Sequence, residues 1–226
     1  MPLKLLSSMA AREVLAELIQ GFTAQTGQRV TAEAAGGVEV AKRIQAGEAA
    51  DVVVLSDTAI DKLIGAAQLR PGRVDLVRSG VAVAVRNGSA RPDISTEAAV
   101  KAAVSSASSV SYSTGPSGVY LEQLFERWGI LERIRPRIVV PPPGIAVGSL
   151  VASGQAALGF QQLSELLNVA GIEVLGPLPA AIQTITTFSA GISVRCEQPQ
   201  LAAQLLDYMR QPAATDVKQR YGMEPA

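Results

Sequence analysis

Short apolar, β-branched runs alternate with helical patterns along almost the whole chain, which predicts an α/β protein built on mostly parallel sheets. A long strand pattern at residues 80–86, followed by a change of register into a second series of strand and helix patterns, predicts two lobes. Another long strand at residues 186–194 is able to carry the chain back. The expectation is lobe I at residues 1–80 plus 190–226 and lobe II at 81–189, joined by two hinge strands with a ligand cleft between them. The 226-residue length suits two lobes of about 100 residues each.

Residues 3–6 form the first predicted strand. Val14, Leu15, Leu18, Ile19 and Phe22 then make one apolar helical stripe, and Gly27 closes that helix. A strand at 29–34, a helix at 38–46 and a buried strand at 51–55 come next, with Asp57 capping a helix that runs to about Gly65. After the crossover strand the pattern gives a strand at 109–113 and a helix carrying Leu121, Leu124, Phe125 and Trp128 on one face. Strands at 137–140, 157–160 and 172–175 alternate with helices from Val147 and at 163–167, and Pro141-Pro142-Pro143 fixes one connection. Leu201, Leu205, Tyr208 and Met209 mark a final helical tail.

Composition excludes whole classes of chemistry. Apolar residues make up 48% and charged residues 18%, with 20 basic against 20 acidic side chains, so the chain is neither disordered nor basic enough to bind nucleic acid by bulk charge. With no histidine, the commonest general base and transition-metal ligand is missing, and neither a cofactor nor a metal is expected. Cys196 is the single cysteine, so no intrachain disulfide forms; its setting reads as a structural thiol at a strand end. No apolar stretch approaches the ~20 residues of a membrane span. The start, Met1-Pro2-Leu3-Lys4, lacks the apolar core of a secretory leader, which places the chain in the cytoplasm as written, or in the periplasm if it is a trimmed mature form.

Strand-to-helix junctions at Ser7-Ser8, at Ala35-Gly36-Gly37 and at Ser113-Thr114-Gly115-Pro116-Ser117-Gly118 are rich in small and hydroxylated residues. Helix N-terminal N–H groups without intrahelical partners bind anions there with no need of cationic side chains. Each junction taken alone reads equally well as an ordinary cap or turn. Gln161-Gln162 adds two amides at a strand end, which either face a ligand or cap the next helix. Glu39 is the acid beside a glycine junction, a candidate base that also suits the helix dipole. Arg78 and Arg86 bracket the crossover strand and are candidate partners of a carboxylate. No phosphate-binding glycine motif is present.

The frame Ala41-Lys42-Arg43-Ile44-Gln45-Ala46-Gly47, then Ala50-Asp51-Val52-Val53, Ser117-Gly118-Val119-Tyr120, Ser153-Gly154-Gln155-Ala156-Ala157-Leu158-Gly159 and Lys218-Gln219-Arg220-Tyr221-Gly222 resembles the molybdate-binding proteins of ABC importers over nearly the whole chain. The resemblance implies the type II periplasmic-binding-protein fold. It also implies a tetrahedral oxyanion held by two serines, backbone amides and often a tyrosine. Aligned without gaps, those side-chain positions fall at Ala10, Val38 and Gln162, whereas the backbone donors around Ser117, Gly118, Val119 and Gly144 are kept. The resemblance therefore implies a solute-binding protein for a small anion, oxyanion or carboxylate, with altered ligand side chains. Its expected partners are that ligand and, if exported, an ABC permease, and it is expected to be a monomer. The same frame includes an aconitate-isomerase branch, which moves a double bond within a small tricarboxylate by a proton shift. The alternative is a cofactor-free isomerase of a small di- or tricarboxylate, with Glu39 or a nearby hydroxyl as its base.

Overall fold

The computed structural model describes residues 1–142 and 144–226, so the last proline of Pro141-Pro142-Pro143 lies outside the described residues. The chain divides into two compact units, Met1–Ser79 with Thr186–Ala226, and Gly80–Ile185.

In the first unit, β1 (Leu3–Ser8), β2 (Val30–Ala35) and β3 (Val52–Ser56) are parallel with β1 in the middle, and β8 (Ile185–Ile192) runs antiparallel to β3. The sheet has a core on each face because successive side chains alternate. Leu3, Leu5, Val52 and Val54 pack under α1 (Arg12–Thr26) and α9 (Pro199–Arg210), where Phe22 meets Tyr208 edge to face at 5.6 Å. Leu6, Val53 and Leu55 pack under α2 (Gly37–Gln45) and α3 (Asp57–Gly65). A strand buried on both faces reads as an unbroken apolar run, which is why residues 51–55 stand out so clearly. The helix after β3 begins at Asp57 itself with Ser56 as its cap residue, and Asp57 Oδ1 accepts from the Thr58 amide at 2.6 Å.

The long strand β4 (Val74–Arg86) starts earlier than its pattern predicts and belongs to the first unit up to Ser79. There the chain's end is stitched to it. β9 (Glu224–Pro225), which comes after α10 (Thr215–Arg220), pairs with Val77 and Arg78. Buried Lys218 donates Nζ to the Leu76 carbonyl at 2.9 Å. Arg78 donates to the Pro225 carbonyl through Nε and Nη2 at 3.1 and 2.8 Å, so its guanidinium is committed to backbone rather than to a ligand.

In the second unit the order is β5 (Val110–Tyr112), β6 (Leu158–Gln162), the later half of β4, and β7 (Ile172–Pro177), with β5 and β6 parallel. Val81, Val83 and Phe160 pack under α4 (Glu97–Ser106) and α5 (Pro116–Arg127). Short helices α6 (Leu131–Ile134), α7 (Val147–Ala152) and α8 (Leu163–Leu166) complete it. Gly159 admits α7 against the sheet, since a Cβ there would stand 2.5 Å from Val151 Cγ2. Phe125 is fully buried, and Trp128 packs beside it while donating Nε1 to Glu97 at 2.7 Å.

Some expectations need correction. Residues 137–140 are not a strand: Arg135–Arg137 is a 3-10 turn, and only Ile138 bridges to Val110. Prolines 136, 141 and 142 flank this segment and remove the donors a ladder would use. β5 stops at Tyr112, leaving Ser113 in the loop. β8 ends at Ile192, so Cys196 lies beyond it, buried, with its thiol pushed up by desolvation. The helices α4 and α6 and the strand β9 have no counterpart in the sequence pattern.

One charge cluster gives the first unit a pH signature. Arg43 donates to Glu48 through Nε and Nη2 at 2.6 and 2.7 Å, with Lys4 Nζ on the same carboxylate at 3.0 Å. The Arg43 bonds, then the Lys4 bond, hold the Glu48 carboxyl down at about 2 from its ordinary 4.5. A depressed carboxyl contributes stability above its unfolded value and loses it as pH falls through the folded one. Thermal melts of wild type and Glu48→Gln should therefore differ at about pH 6 and converge as pH falls from about 4.5 towards 2. A constant difference across that window contradicts the assignment.

Candidate functional site

Parallel strands place their carboxyl ends side by side, and in open α/β sheets ligands bind there. In the first unit Ser7 pairs with Ala34, and Ser8 with Ala35, in register. The two junctions Ser7-Ser8 and Gly36-Gly37 are thereby brought together. Ser8 Cβ is 3.7 Å from where a Cβ on Gly37 would stand, an ordinary contact distance that puts the start of α2 against the end of β1. Gly36 is the cap residue of α2 and supplies no side chain. The first intrahelical bond is Val40 N–H to the Gly36 carbonyl at 2.9 Å, which leaves the amides of Gly37, Val38 and Glu39 ahead of it.

The hydroxyl of Ser8 is the telling atom. Ser8 is 7% exposed, and its Oγ has no hydrogen-bond partner. An unsatisfied buried hydroxyl costs about 1–3 kcal/mol, and Ser79 and Ser164 carry hydroxyls of the same kind. Ser7 is buried beside it, whereas Val38 is 52% exposed and Glu39 is exposed. No side-chain hydrogen bond or ion pair orients Glu39 among the described residues, a poor setting for a base.

In the second unit β5 and β6 end together, Tyr112 pairing with Phe160. Ser113 and buried Ser117 share a hydrogen bond between their Oγ atoms at 2.9 Å. Gly118 is obligatory, because a Cβ there would lie 1.6 Å from the Ser113 carbonyl oxygen. The donors at α5 differ from those expected. Gly118 and Val119 both donate to the Gly115 carbonyl, at 3.0 and 3.1 Å, and Pro116 has no N–H, so Ser117 carries the free amide of this turn. Val119 is 53% exposed. Gly144 is exposed at φ +78° in the loop before α7.

Gln161 and Gln162 are both buried at 4% exposure, and neither caps the following helix by its side chain. Gln161 Oε1 accepts from the Gly148 amide at 3.3 Å, and its Nε2 donates to Glu165 Oε1 at 2.8 Å. Sequence reasoning passes over Glu165. The four-residue spacing from Gln161 across a strand-to-helix junction is the signal that could have found it.

Two other helices, α4 and α3, have a side chain on an amide of their first turn. Thr96 caps α4 through the Ala99 amide at 3.1 Å, and at α3 Asp57 supplies its own carboxylate. α9 shares the missing cap but starts behind Pro199. Arg12, at the start of α1, is turned onto Glu13 at 2.9 Å. Among the described residues no group of acids or cysteine is placed to hold a metal ion, and no helix is long and apolar enough to cross a membrane. A groove of about 560 Å³ lies elsewhere in the second unit, between Arg91–Ser95 and Leu175–Pro179. Its charged groups are already engaged, Arg91 by Glu173 and Asp93 by the Ser95 amide.

The profile of the bacterial extracellular solute-binding proteins matches residues 3–224. A curated relative, the aconitate isomerase of a Pseudomonas species, is 35% identical over 99% of this chain and 87% of its own. The periplasmic molybdate-binding protein of Azotobacter vinelandii superposes with a TM-score of 0.80 at 24% identity, covering 98% of each chain. The tungstate-binding protein TupA of Desulfovibrio alaskensis superposes at 0.70 and 15% identity, over 100% of this chain and 99% of its own. The fold is thus that of the type II periplasmic binding proteins.

The glycines of the two junctions should respond differently to the same change. Gly118→Ala forces a Cβ into the Ser113 carbonyl and should cost about 2 kcal/mol or more in denaturant unfolding. Gly36→Ala meets nothing within 4 Å and should change stability by less than about 0.5 kcal/mol. Equal effects would contradict the geometry.

Proposed function

Since the chain belongs to the bacterial extracellular solute-binding proteins, we propose that it binds a small anion through the backbone amides and hydroxyls of a helix start, that of α2 in the first unit or that of α5 in the second. The observation that carries this reading is the buried, unpartnered Ser8 hydroxyl beside the open first turn of α2. Helix ends of this kind favour negative charge by their dipole and by their unpaired N–H groups. The role comes from the family: the substrate-binding component of an ABC importer, acting outside the cytoplasm and passing its anion to a membrane permease.

Within small anions we favour a carboxylate. Aligned without gaps, the hydroxyl positions of the molybdate-binding pattern fall at Ala10, Val38 and Gln162, which on this reading leaves fewer hydroxyl donors for a bare oxyanion. Exposed Val38 at α2 and exposed Val119 at α5 each set hydrocarbon at their own helix start, an environment suited to an anion with a carbon frame. A second reading rests on the 35% identical aconitate isomerase: a cofactor-free isomerase that shifts a proton within a small tricarboxylate.

Thermal denaturation against molybdate, tungstate, sulfate, citrate and the cis and trans isomers of aconitate tests the first reading, because ligand at about 100 times its dissociation constant adds about 2.7 kcal/mol. We expect stabilisation by the carboxylates. Stabilisation by molybdate or tungstate alone would overturn the preference, and none by any anion would overturn the reading. Ser8→Ala should weaken binding about tenfold while leaving the unliganded melting temperature unchanged or higher, since its hydroxyl bonds nothing in the protein. A variant that melts lower and binds normally would make Ser8 a structural residue.

A further inference from the structure

On the isomerase reading, we propose that the Glu165 carboxylate is the catalytic base and that Gln161 is its positioning residue. The set of available bases is short. The chain has no histidine, Cys196 is buried in the first unit, and the Tyr112 phenol is bound to Glu122 at 2.9 Å. Buried Lys218 is tied to a backbone carbonyl. Carboxylates remain, and among those of the second unit Glu165 is the one held by a buried amide whose orientation is fixed. Glu165, half-buried just beyond the carboxyl end of β6, stands where an α/β sheet presents its ligand.

Its orientation is fixed by donor chemistry as well as distance. A backbone N–H only donates, so the Gly148 amide at 3.3 Å must face the carbonyl oxygen of Gln161. The NH2 end of the same buried amide is then obliged to point at Glu165, which it reaches at 2.8 Å. A donor on a carboxylate favours its ionised form, the form a base needs near neutral pH. Beside it in sequence, Ser164 is 6% exposed and its Oγ has no hydrogen-bond partner, a donor left over from folding. The adjacent parallel strand β5 leads into Ser113 and Ser117, whose hydroxyls and free Ser117 amide can stabilise enolate charge.

The step balances within one substrate. Glu165 takes a proton from the methylene carbon next to a carboxylate. The C–H electron pair becomes the new C=C bond, and the old π pair moves to the far carbon, where the neighbouring carboxylate delocalises it. That carbon then takes the proton back from the Glu165 acid, so substrate and product have one composition and no co-reactant is consumed.

The test monitors the cis and trans isomers of propene-1,2,3-tricarboxylate by proton NMR with the full chain, alongside thermal shifts to report binding. Wild type should interconvert them, and Glu165→Gln should lose about 10³-fold in kcat while keeping its thermal shift. Glu165→Asp, which keeps the carboxylate, should recover part of the rate and guards against a folding defect in the amide variant. Gln161→Met should lower kcat with little change in KM and move the acid limb of the pH profile upward, because the lost donor no longer favours the ionised carboxylate. Conversion by Glu165→Gln within about threefold of wild type would overturn the assignment of Glu165 alone. Binding without conversion by wild type would overturn the isomerase reading and the assignment with it.

Discussion

A backbone amide that no side chain satisfies is the constraint around which this molecule is arranged. Burying unpaired N–H groups is costly, and side chains answer some of them, Thr96 at α4 and Asp57 at α3. At α2 and α5 the cap residues are glycines with no side chain to offer. The parallel registers of β1 with β2, and of β5 with β6, then bring hydroxyls to these same helix starts. Gly118 allows the Ser113 carbonyl to press against α5, and Gly37 sets the start of α2 against Ser8. These features weaken a purely structural protein and serve one that completes its hydrogen bonds with a ligand.

Recognition by dipoles rather than by full charges has consequences. Of the arginines that the sequence offers as ligand partners, Arg78 is bound to the chain's own end, and the net charge is zero. On the proposed reading, selectivity depends on how many donors a ligand can satisfy and on what its uncharged part touches, with Val38 supplying hydrocarbon at the start of α2 and Val119 at the start of α5.

Much of this is legible in the sequence, and the rest is hidden for physical reasons. The strand at β3 declares itself because both of its faces are buried, and α1 does so through one apolar stripe ended by Gly27. The glycine and serine junctions are visible as composition. Which amides remain free is not, since Gly118 and Val119 are consumed by the Gly115 carbonyl, a bond that depends on how α5 starts. Glu39 stands out by its neighbours, yet it faces solvent. Glu165 escapes notice because its importance comes from an amide whose orientation is fixed by Gly148, distant in sequence. Strand β9 is too short to carry a period, and residues 137–140 have a strand's composition without its donors.

The most direct measurement is a titration of 15N-labelled protein with citrate, tracking backbone amide shifts. If anion binding through free helix-start amides is right, Gly37, Val38 and Glu39 at α2, or Ser117 at α5, move first and furthest, while Ala99 at the capped start of α4 stays still. Saturable shifts centred instead on the groove at Arg91–Ser95, with the starts of α2 and α5 unmoved, would contradict anion binding at these helix starts.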